Sequence, residues 1–450
     1  MARWMRFPMV AIVLAACASV PQRGHEASSV AVVSTPFKAD SGSIALRCGS
    51  LIDGVAPRAM RDVIVVIRDG RIASVGGKAP PRDLPMLDLR DHTCMPGLID
   101  MHTHVTERPD DFPDFRVLFD RTDEEQAAIS RRQAEATLRA GFTSVRNLGN
   151  YTAWVDRTLR DAIARGDVAG PRIQVSGFYL TIPGGGGDVL MPDVAESEIP
   201  PRLRSGVSRG AEQFRRNAQR AVDGGADVLK VIASGAVLAH GGVPGEPEMT
   251  PQELEAVVRV AHAAGLKVAA HAHGALSIKQ AIQAGADTIE HASLLDDEGI
   301  ALAREHDVAL AMDVYNGDWI DEEGRRQKWP EEFLRKNSEL TEVQRQAFTR
   351  AHAAGVPIVY ATDAGVFPHG LNARQFRIMV ERGMTPMQAI QSATTVAAKY
   401  MGWSDRLGAL KPGLLGDVIA VRGDPLADIT RLEHVEVVVK GGLLFERAAR

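Results

Sequence analysis

Residues 96–104 read PGLIDMHTH, an apolar segment that turns polar at its end. A buried strand has this pattern where it emerges into a functional site. Side chains two apart in a strand point to the same side, so the imidazoles of His102 and His104 can reach one metal ion. Such a pair alone is weak evidence, because two histidines at this spacing are commonly only hydrogen-bonded side chains. Its meaning depends on what accompanies it along the chain.

A lysine interrupts a second apolar segment. Residues 226–233 read ADVLKVIA, and Lys230 stands inside this predicted strand. A bare ammonium there is costly to desolvate, so taken singly the residue is best interpreted as a lysine that extends to the rim. A neutral lysine amine can instead add carbon dioxide, and the two oxygens of the resulting carbamate can each bind a different cation. Lys230 is therefore a candidate bridging ligand.

Three more apolar segments end in a residue that can bind a metal. They span 267–271, 287–291 and 356–363, and they end in His271, His291 and Asp363. A buried aspartate is often a helix cap or a loop anchor, but Asp363 closes its strand as the histidines do. The combination is hard to produce by chance, and it predicts a metal centre.

Strand patterns alternate with helical patterns between residues 96 and 400, which is typical of a parallel α/β fold. We place eight strands, at 98–104, 142–148, 172–178, 227–233, 267–273, 287–291, 308–313 and 357–363. The candidate ligands fall at the carboxyl ends of the first, fourth, fifth, sixth and eighth strands, where barrel enzymes build their active sites. The predicted fold class is α/β, with a (β/α)8 TIM barrel over residues 96–400.

Short strands and turns are predicted on both sides of this barrel. On the N-terminal side they fall at 44–47, 63–68 and 71–75, with a hairpin signal at Asp69-Gly70. On the C-terminal side they fall at 417–421 and 435–440. We therefore expect residues 44–95 and 401–450 to form one small β-sandwich outside the barrel.

The composition is that of an ordinary globular protein. Of the 450 residues, 45% are hydrophobic and 24% are charged. This length could hold two or three domains, but a barrel takes about 250 residues as one unit. The net charge of -5 argues against a nucleic-acid partner.

The first residues predict export. Residues 1–17 combine a basic start with an apolar run, and the Leu-Ala-Ala before Cys17 resembles a lipobox. That resemblance implies cleavage before Cys17 and acylation of its thiol. The alternative is a plain secretory signal cleaved near Ala18. With no aspartate after Cys17, we expect an outer-membrane lipoprotein that faces the periplasm and contacts the membrane only through its lipid anchor. Residues 18–43 are interpreted as a flexible tether.

Two cysteines, Cys48 and Cys94, lie near the start and the end of the N-terminal β region. In an oxidising compartment they can form a disulfide, yet both can equally be small buried hydrophobes. Neither is expected to be catalytic, because neither lies at the end of a barrel strand with the other ligands.

From about Ile44 to its C-terminus, the chain resembles the amidohydrolase superfamily, specifically its branch of imidazolonepropionase-related prolidases and carboxypeptidase-like dipeptidases. The resemblance implies two divalent ions, with zinc expected and manganese or cobalt as alternatives. It implies that one ion is bound by His102, His104 and Asp363, the second by His271 and His291, and that carboxylated Lys230 bridges the two.

The same resemblance implies hydrolysis of the amide bond of a dipeptide or N-acyl amino acid, a small molecule with a free carboxylate, by a hydroxide shared between the metals. Asp363 is expected to take the proton of the attacking water and pass it to the leaving amine. His273 matches a histidine that helps hold the substrate's carboxylate, and the alternative role is to orient His271. The resemblance also implies a homo-oligomer.

One glycine departs from the family pattern. Gly186 stands where many relatives carry a histidine that contacts the reacting carbonyl. The missing ring predicts room for a bulkier acyl group than a simple Xaa-Pro dipeptide needs. Some relatives hydrolyse ochratoxin A, an N-acyl phenylalanine, so this compound is a candidate substrate.

Other interpretations stay open. An imidazolonepropionase-type ring hydrolase or a deaminase uses the same barrel with one metal, and the bridging lysine argues against both. A cyclic amidase uses the lysine, but its flanking sequence is less similar. A non-catalytic binding protein on this scaffold should have lost ligands, and none is lost. His369 can line the pocket or stabilise a loop.

Overall fold

A computed structural model describes residues 41–77, 79 and 81–446. The strands are β1 (Ile44–Leu51), β2 (Met60–Arg68), β3 (Arg71–Val75), β4 (Met86–Pro96), β5 (Leu98–Thr103), β6 (Phe142–Asn147), β7 (Arg172–Val175), β8 (Tyr179–Leu180), β9 (Val228–Ile232), β10 (Lys267–Ala272), β11 (Thr288–His291), β12 (Ala309–Ala311), β13 (Ile358–Val359), β14 (Val418–Arg422), β15 (Val435–Lys440) and β16 (Leu443–Glu446).

The α-helices alternate with the strands of the central region. They are α1 (Asp123–Arg139), α2 (Val155–Arg165), α3 (Gly210–Asp223), α4 (Pro251–Ala263), α5 (Ala275–Ala284), α6 (Asp297–Glu305), α7 (Asn316–Trp319), α8 (Arg325–Gln327), α9 (Glu331–Ala353), α10 (Gln375–Glu381), α11 (Pro386–Ser392) and α12 (Thr395–Met401). Capping boxes fix the starts of α1 and α4, where Thr122 pairs with Glu125 and Thr250 with Glu253.

The predicted signal, residues 1–17, lies outside the described residues, and so does the tether up to residue 40. Both therefore stay predictions. Across residues 41–446, with their two single-residue gaps, no helix combines the length and the apolar character needed to cross a membrane.

Strands β5 to β13 form two parallel sheets, in the orders β5-β6-β7 and β13-β12-β11-β10-β9-β8. Backbone hydrogen bonds join the sheets: at one junction Met101 N–H donates to the Tyr360 carbonyl at 2.8 Å, and at the other Asp227 N–H donates to the Val175 carbonyl at 2.7 Å. These parallel strands with intervening helices are the mixed α/β content of a TIM barrel with an additional domain.

Three predicted strands differ in detail. The third is broken at Gly177, whose φ of 79° lies outside the strand region, so β7 pairs with β6 and β8 pairs with β9. The seventh and eighth end early, at Ala311 and Val359. Asp363, with a φ of 61°, therefore stands in a loop beyond the eighth strand.

Both ends of the chain contribute to one further sheet, in the order β16-β15-β14-β4-β1-β2-β3. The predicted hairpin at Asp69-Gly70 is confirmed, since both residues have positive φ and join the antiparallel β2 and β3. A sandwich was predicted, whereas hydrogen bonding gives a single sheet whose side chains on β1 to β4, β14 and β15 pack in one apolar cluster. Cys48 and Cys94 form a disulfide that links β1 to β4, with Cα atoms 5.9 Å apart.

Candidate metal centre

The structure brings together the predicted site residues of the central region. His102, Lys230, His271 and His291 lie on β5, β9, β10 and β11, His104 and His273 follow β5 and β10, and Asp363 follows β13. All are buried, and all line one pocket. The carboxyl ends of parallel strands meet on one side of such a fold, which explains how residues distant in sequence converge.

The first potential metal group consists of His102, His104 and Asp363. The Nε2 atoms of the two histidines lie 3.4 and 3.0 Å from Oδ1 of Asp363. The backbone N–H of Asp363 donates to the His102 carbonyl at 2.8 Å, which holds this aspartate in its left-handed conformation. Such a conformation costs about 1–3 kcal/mol in a non-glycine residue and is often found at functional sites.

A second potential group consists of His271, His273 and His291, and a third, which overlaps both, of His291, Asp313 and Asp363. The ring centroids of His271 and His291 are 4.6 Å apart, and those of His273 and His291 are 4.7 Å apart. His273 Nδ1 lies 2.8 Å from Ser293 Oγ, so its partner is this hydroxyl. His291, like Asp363, has a left-handed φ, of 68°.

The ring nitrogens that point away from the centre face oxygen atoms. Nδ1 of His102 lies 3.0 Å from Oε2 of Glu290, although the two are not aligned for a hydrogen bond. Nδ1 of His291 lies 2.9 Å from Oδ1 of Asp313. Nε2 of His271 lies 3.2 Å from a backbone carbonyl. Metal-binding histidines are usually oriented in this way, so the donor set fits a metal centre.

Lys230 is the least satisfied group of the pocket. Its side chain is 1% exposed, and within the described part of the chain its Nζ has no hydrogen-bond partner. Burial lowers the pKa of the amine to about 8, although Glu290 and Asp363 oppose this shift. An unpaired buried amine is costly, so the geometry fits a lysine that carries a further group or faces cations.

Burial sets the charge of most imidazoles in the pocket. It lowers the pKa of His102, His271 and His273 well below the ordinary value, which favours the neutral form that binds metals. Burial acts in the same direction on His291, but the charge and hydrogen bond of Asp313 outweigh it and raise the pKa of His291.

Several residues of the site were not predicted from the sequence. Asp313 ends the predicted seventh strand as the histidines end theirs, so its position was a usable signal. Asn316 Nδ2 donates to Oδ2 of Asp313 and to Oδ2 of Asp363, both at 3.0 Å. The Arg146 guanidinium, also buried, donates to Oε1 of Glu290 at 2.8 Å. Long-range contacts of this kind have no local sequence pattern.

Apolar side chains form one part of the pocket wall, beside the candidate ligands. Among the described residues, its lining includes no arginine and no lysine besides Lys230. The apolar lining includes Phe112, Ile232, Leu238, Ile320, Leu340 and Val366. Gly186 also lines it, but a Cβ at this position would lie 2.8 Å from Cβ of Ala236. The room predicted from the missing imidazole is therefore partly taken by Ala236.

His369 does not line this pocket. Its Nδ1 lies 2.7 Å from Thr137 Oγ1, and its Nε2 lies 3.2 Å from the carbonyl of His104. Of its two predicted roles, these contacts support the stabilisation of a loop.

Comparison with known proteins identifies relatives of the chain. The sequence pattern described as "Amidohydrolase family" matches residues 93–444. Ochratoxinase from Aspergillus niger is 31% identical over 418 residues, which cover 86% of this chain and 83% of that protein. Imidazolonepropionase from Cereibacter sphaeroides is 26% identical over 86% of this chain and 94% of its own length. The crystal structure of a Xaa-Pro dipeptidase with methionine bound in the active site has a TM-score of 0.83 and 35% identity, over 90% of this chain and all of that one.

Proposed function

The chain belongs to the amidohydrolase family and is a hydrolase that acts on amide bonds, and from this premise we propose a binuclear metal-dependent hydrolase of N-acyl amino acids or dipeptides. The observation that carries the proposal is the buried Lys230 amine, for which the described residues provide no hydrogen-bond partner, in a pocket with three overlapping potential metal groups. The proposed setting is the mouth of a closed (β/α)8 barrel, with the site at the carboxyl ends of its strands.

Two divalent cations, with zinc expected, fit the donor set. His102, His104 and Asp363 would hold one, His271 and His291 the other, and carboxylated Lys230 would bridge them. Bound cations supply Lewis acidity that polarises the scissile carbonyl and makes the attacking water more acidic. Carboxylation joins the neutral Lys230 amine to the carbon of carbon dioxide and releases one proton, which leaves an anionic carbamate. The lowered pKa of this amine, about 8, favours the neutral form that reacts.

Asp363 is proposed to move the proton. Its carboxylate takes a proton from the attacking water and delivers it to the leaving amine as the amide C–N bond breaks. Asn316 donates to Oδ2 of this carboxylate at 3.0 Å and so orients it. The strained backbone of Asp363 further fixes its position.

The proposed substrate pairs an apolar group with a free carboxylate. Apolar residues such as Phe112, Leu238 and Ile320 line the pocket and favour a large apolar group on one side of the scissile bond. His273 is proposed to contact the carboxylate, since its Nε2 is not used by Ser293. Two relatives support this class, an ochratoxinase and a Xaa-Pro dipeptidase with bound methionine. Ochratoxin A is therefore a candidate substrate.

A ring hydrolase is the second candidate. It is favoured by one observation, the similarity to an imidazolonepropionase over most of both chains. Lys230 argues against it, because a site with one metal has no need of a buried bridging lysine.

The test is hydrolysis by zinc-loaded protein across Xaa-Pro, Xaa-Phe and Xaa-Arg dipeptides and N-acyl amino acids, including ochratoxin A. A cyclic amide and a deaminase substrate serve as controls. We expect release of a free amino acid that disappears in Lys230→Ala but persists in Lys279→Ala, a lysine that pairs with Asp296 on the surface at 2.9 Å. The proposal would be contradicted if no open-chain amide were hydrolysed while the cyclic amide was.

A further inference from the structure

His104 differs from the other candidate ligands in what its second ring nitrogen faces. Its Nδ1 lies 3.1 Å from the phenol oxygen of Tyr179. That phenol lies 3.5 Å from Oε1 of Glu107, whereas Nδ1 itself is 3.8 Å from Oε2 of the same carboxylate. All three side chains are buried and line the pocket. A tyrosine thus stands between the imidazole and the carboxylate.

The position of Tyr179 is fixed from several sides. It pairs with Lys230 across β8 and β9, which ties it to the candidate bridging residue. A Cβ at Gly149 would lie 2.0 Å from the Tyr179 ring, so only glycine allows the ring to lie there. The ring also packs on Tyr151, with centroids 5.2 Å apart. The phenol is therefore held in place before any ligand binds.

We propose that Tyr179 and Glu107 are positioning residues for His104. Nδ1–H of His104 donates to the phenol oxygen, and the phenol O–H donates to Glu107, which leaves Nε2 of His104 directed at Asp363, 3.0 Å away. The contacts of His102 with Glu290 and of His291 with Asp313 place a carboxylate directly at the ring. At His104 the carboxylate acts through a phenol. This inference rests on the proposed metal centre.

Metal affinity is the property that this arrangement controls. Loss of a group that orients a metal-binding histidine typically weakens metal binding by about 10–100-fold. Tyr179→Phe removes the phenol oxygen and keeps the ring. Glu107→Gln keeps the shape but accepts a hydrogen bond more weakly, so its effect should be smaller and in the same direction.

The experiment measures zinc affinity of the full chain by competition with a chromophoric chelator, together with the visible absorption of the cobalt-loaded protein. We expect one of two bound ions to be about 10–100-fold weaker in Tyr179→Phe, with a changed cobalt spectrum. Tyr315→Phe is the matched control, because this tyrosine accepts a hydrogen bond from Arg374 at 3.0 Å and does not line the pocket. Its zinc affinity should equal that of the parent.

Two results overturn the inference. One is parental zinc affinity and cobalt spectrum in both pocket variants. The other is unchanged affinity with an altered KM, which would make Tyr179 a substrate contact. If Tyr179→Phe fails to fold, Glu107→Gln carries the same test. A parent protein that binds no zinc would instead overturn the proposed function, and with it this inference.

Discussion

The candidate metal centre and the apolar cluster of the seven-stranded sheet are both buried, but polar groups fill the first and apolar groups the second. In the centre, Nζ of Lys230 has no hydrogen-bond partner among the described residues, and His291 and Asp363 have left-handed backbones. In the sheet, β1 to β4, β14 and β15 bury an apolar cluster that a disulfide crosses. Strain and unpaired polar groups reduce stability and persist where function requires them. Substitutions in the centre should therefore reduce activity, and those in the sheet should reduce stability.

The largest effect is expected for Lys230→Ala. Loss of the bridging group should lower kcat/KM by at least about ten-thousandfold, or about 5 kcal/mol of transition-state stabilisation, with little change in the melting temperature. Acetate should restore part of this activity, because it supplies the carboxylate that the carbamate provided, whereas methylamine should not. Steady-state kinetics with each additive measure both effects.

Lys336→Met is the matched control for Lys230. Lys336 is 2% exposed, but its Nζ donates to the Ala239 carbonyl at 2.8 Å and pairs with Glu332 at 2.7 Å. This variant should lose stability and keep its zinc. Rescue of Lys230→Ala by methylamine alone would indicate a free ammonium and contradict the carbamate.

Asp363→Asn should lower kcat by about 10²–10⁴-fold, because an amide cannot carry the proton. KM should change little. The matched control in the other region is Asp417→Asn, whose carboxylate pairs with Arg172 where the sheet meets the parallel strands. Removing a buried partner costs about 3–5 kcal/mol of stability, so this control should unfold earlier in urea and retain its kcat. Equal kcat in the two variants would contradict the expectation that only substitutions in the metal centre reduce activity.

The disulfide tests the expectation that substitutions in the sheet reduce stability. Cys48→Ala/Cys94→Ala should lower the free energy of unfolding by about 2–4 kcal/mol, because the bond closes a loop over a sequence separation of 46 residues. Dithiothreitol should have a similar effect on the parent and none on the double variant, as measured by urea unfolding. Activity below the transition should stay at the parental level. Loss of activity in the folded double variant would mean that the two regions are coupled.

The smallest effect is expected for Asp313→Asn. This carboxylate orients His291 and accepts from Gln344 at 2.7 Å, so the variant should bind zinc about 10–100-fold more weakly, or about 1.4–2.7 kcal/mol. Saturating zinc should restore most of the activity. Zinc titration of activity distinguishes this outcome from a direct catalytic role, for which no zinc concentration would restore turnover.

The sequence predicted the structure best where the residues of a pattern lie close together in one strand or turn. The apolar segments that carry His102, His271 and His291 predicted strands that each differ from the structure by one residue at one end. The hairpin at Asp69-Gly70 was predicted because this dipeptide readily adopts positive φ. These patterns depend on residues that are close in sequence, and the folded structure retains the local conformations that they predict.

Contacts between distant segments were not predictable in the same way. The phenol of Tyr179 meets His104 across a separation of 75 residues, and Tyr179 lies on the short β8 that follows the break at Gly177. The pairing of Cys48 with Cys94 was left open, because disulfide geometry depends on the register of β1 and β4. The prediction that Asp363 lies in a strand was wrong. Its left-handed backbone depends on a contact with His102 that sequence patterns do not encode.

The most direct test of the central claim is the zinc content of the purified chain after excess metal is removed, for the parent and for Lys230→Ala. A binuclear centre bridged by this lysine predicts about two zinc ions per parent chain and fewer in the variant. One ion or none in the parent, or two in both proteins, would contradict it.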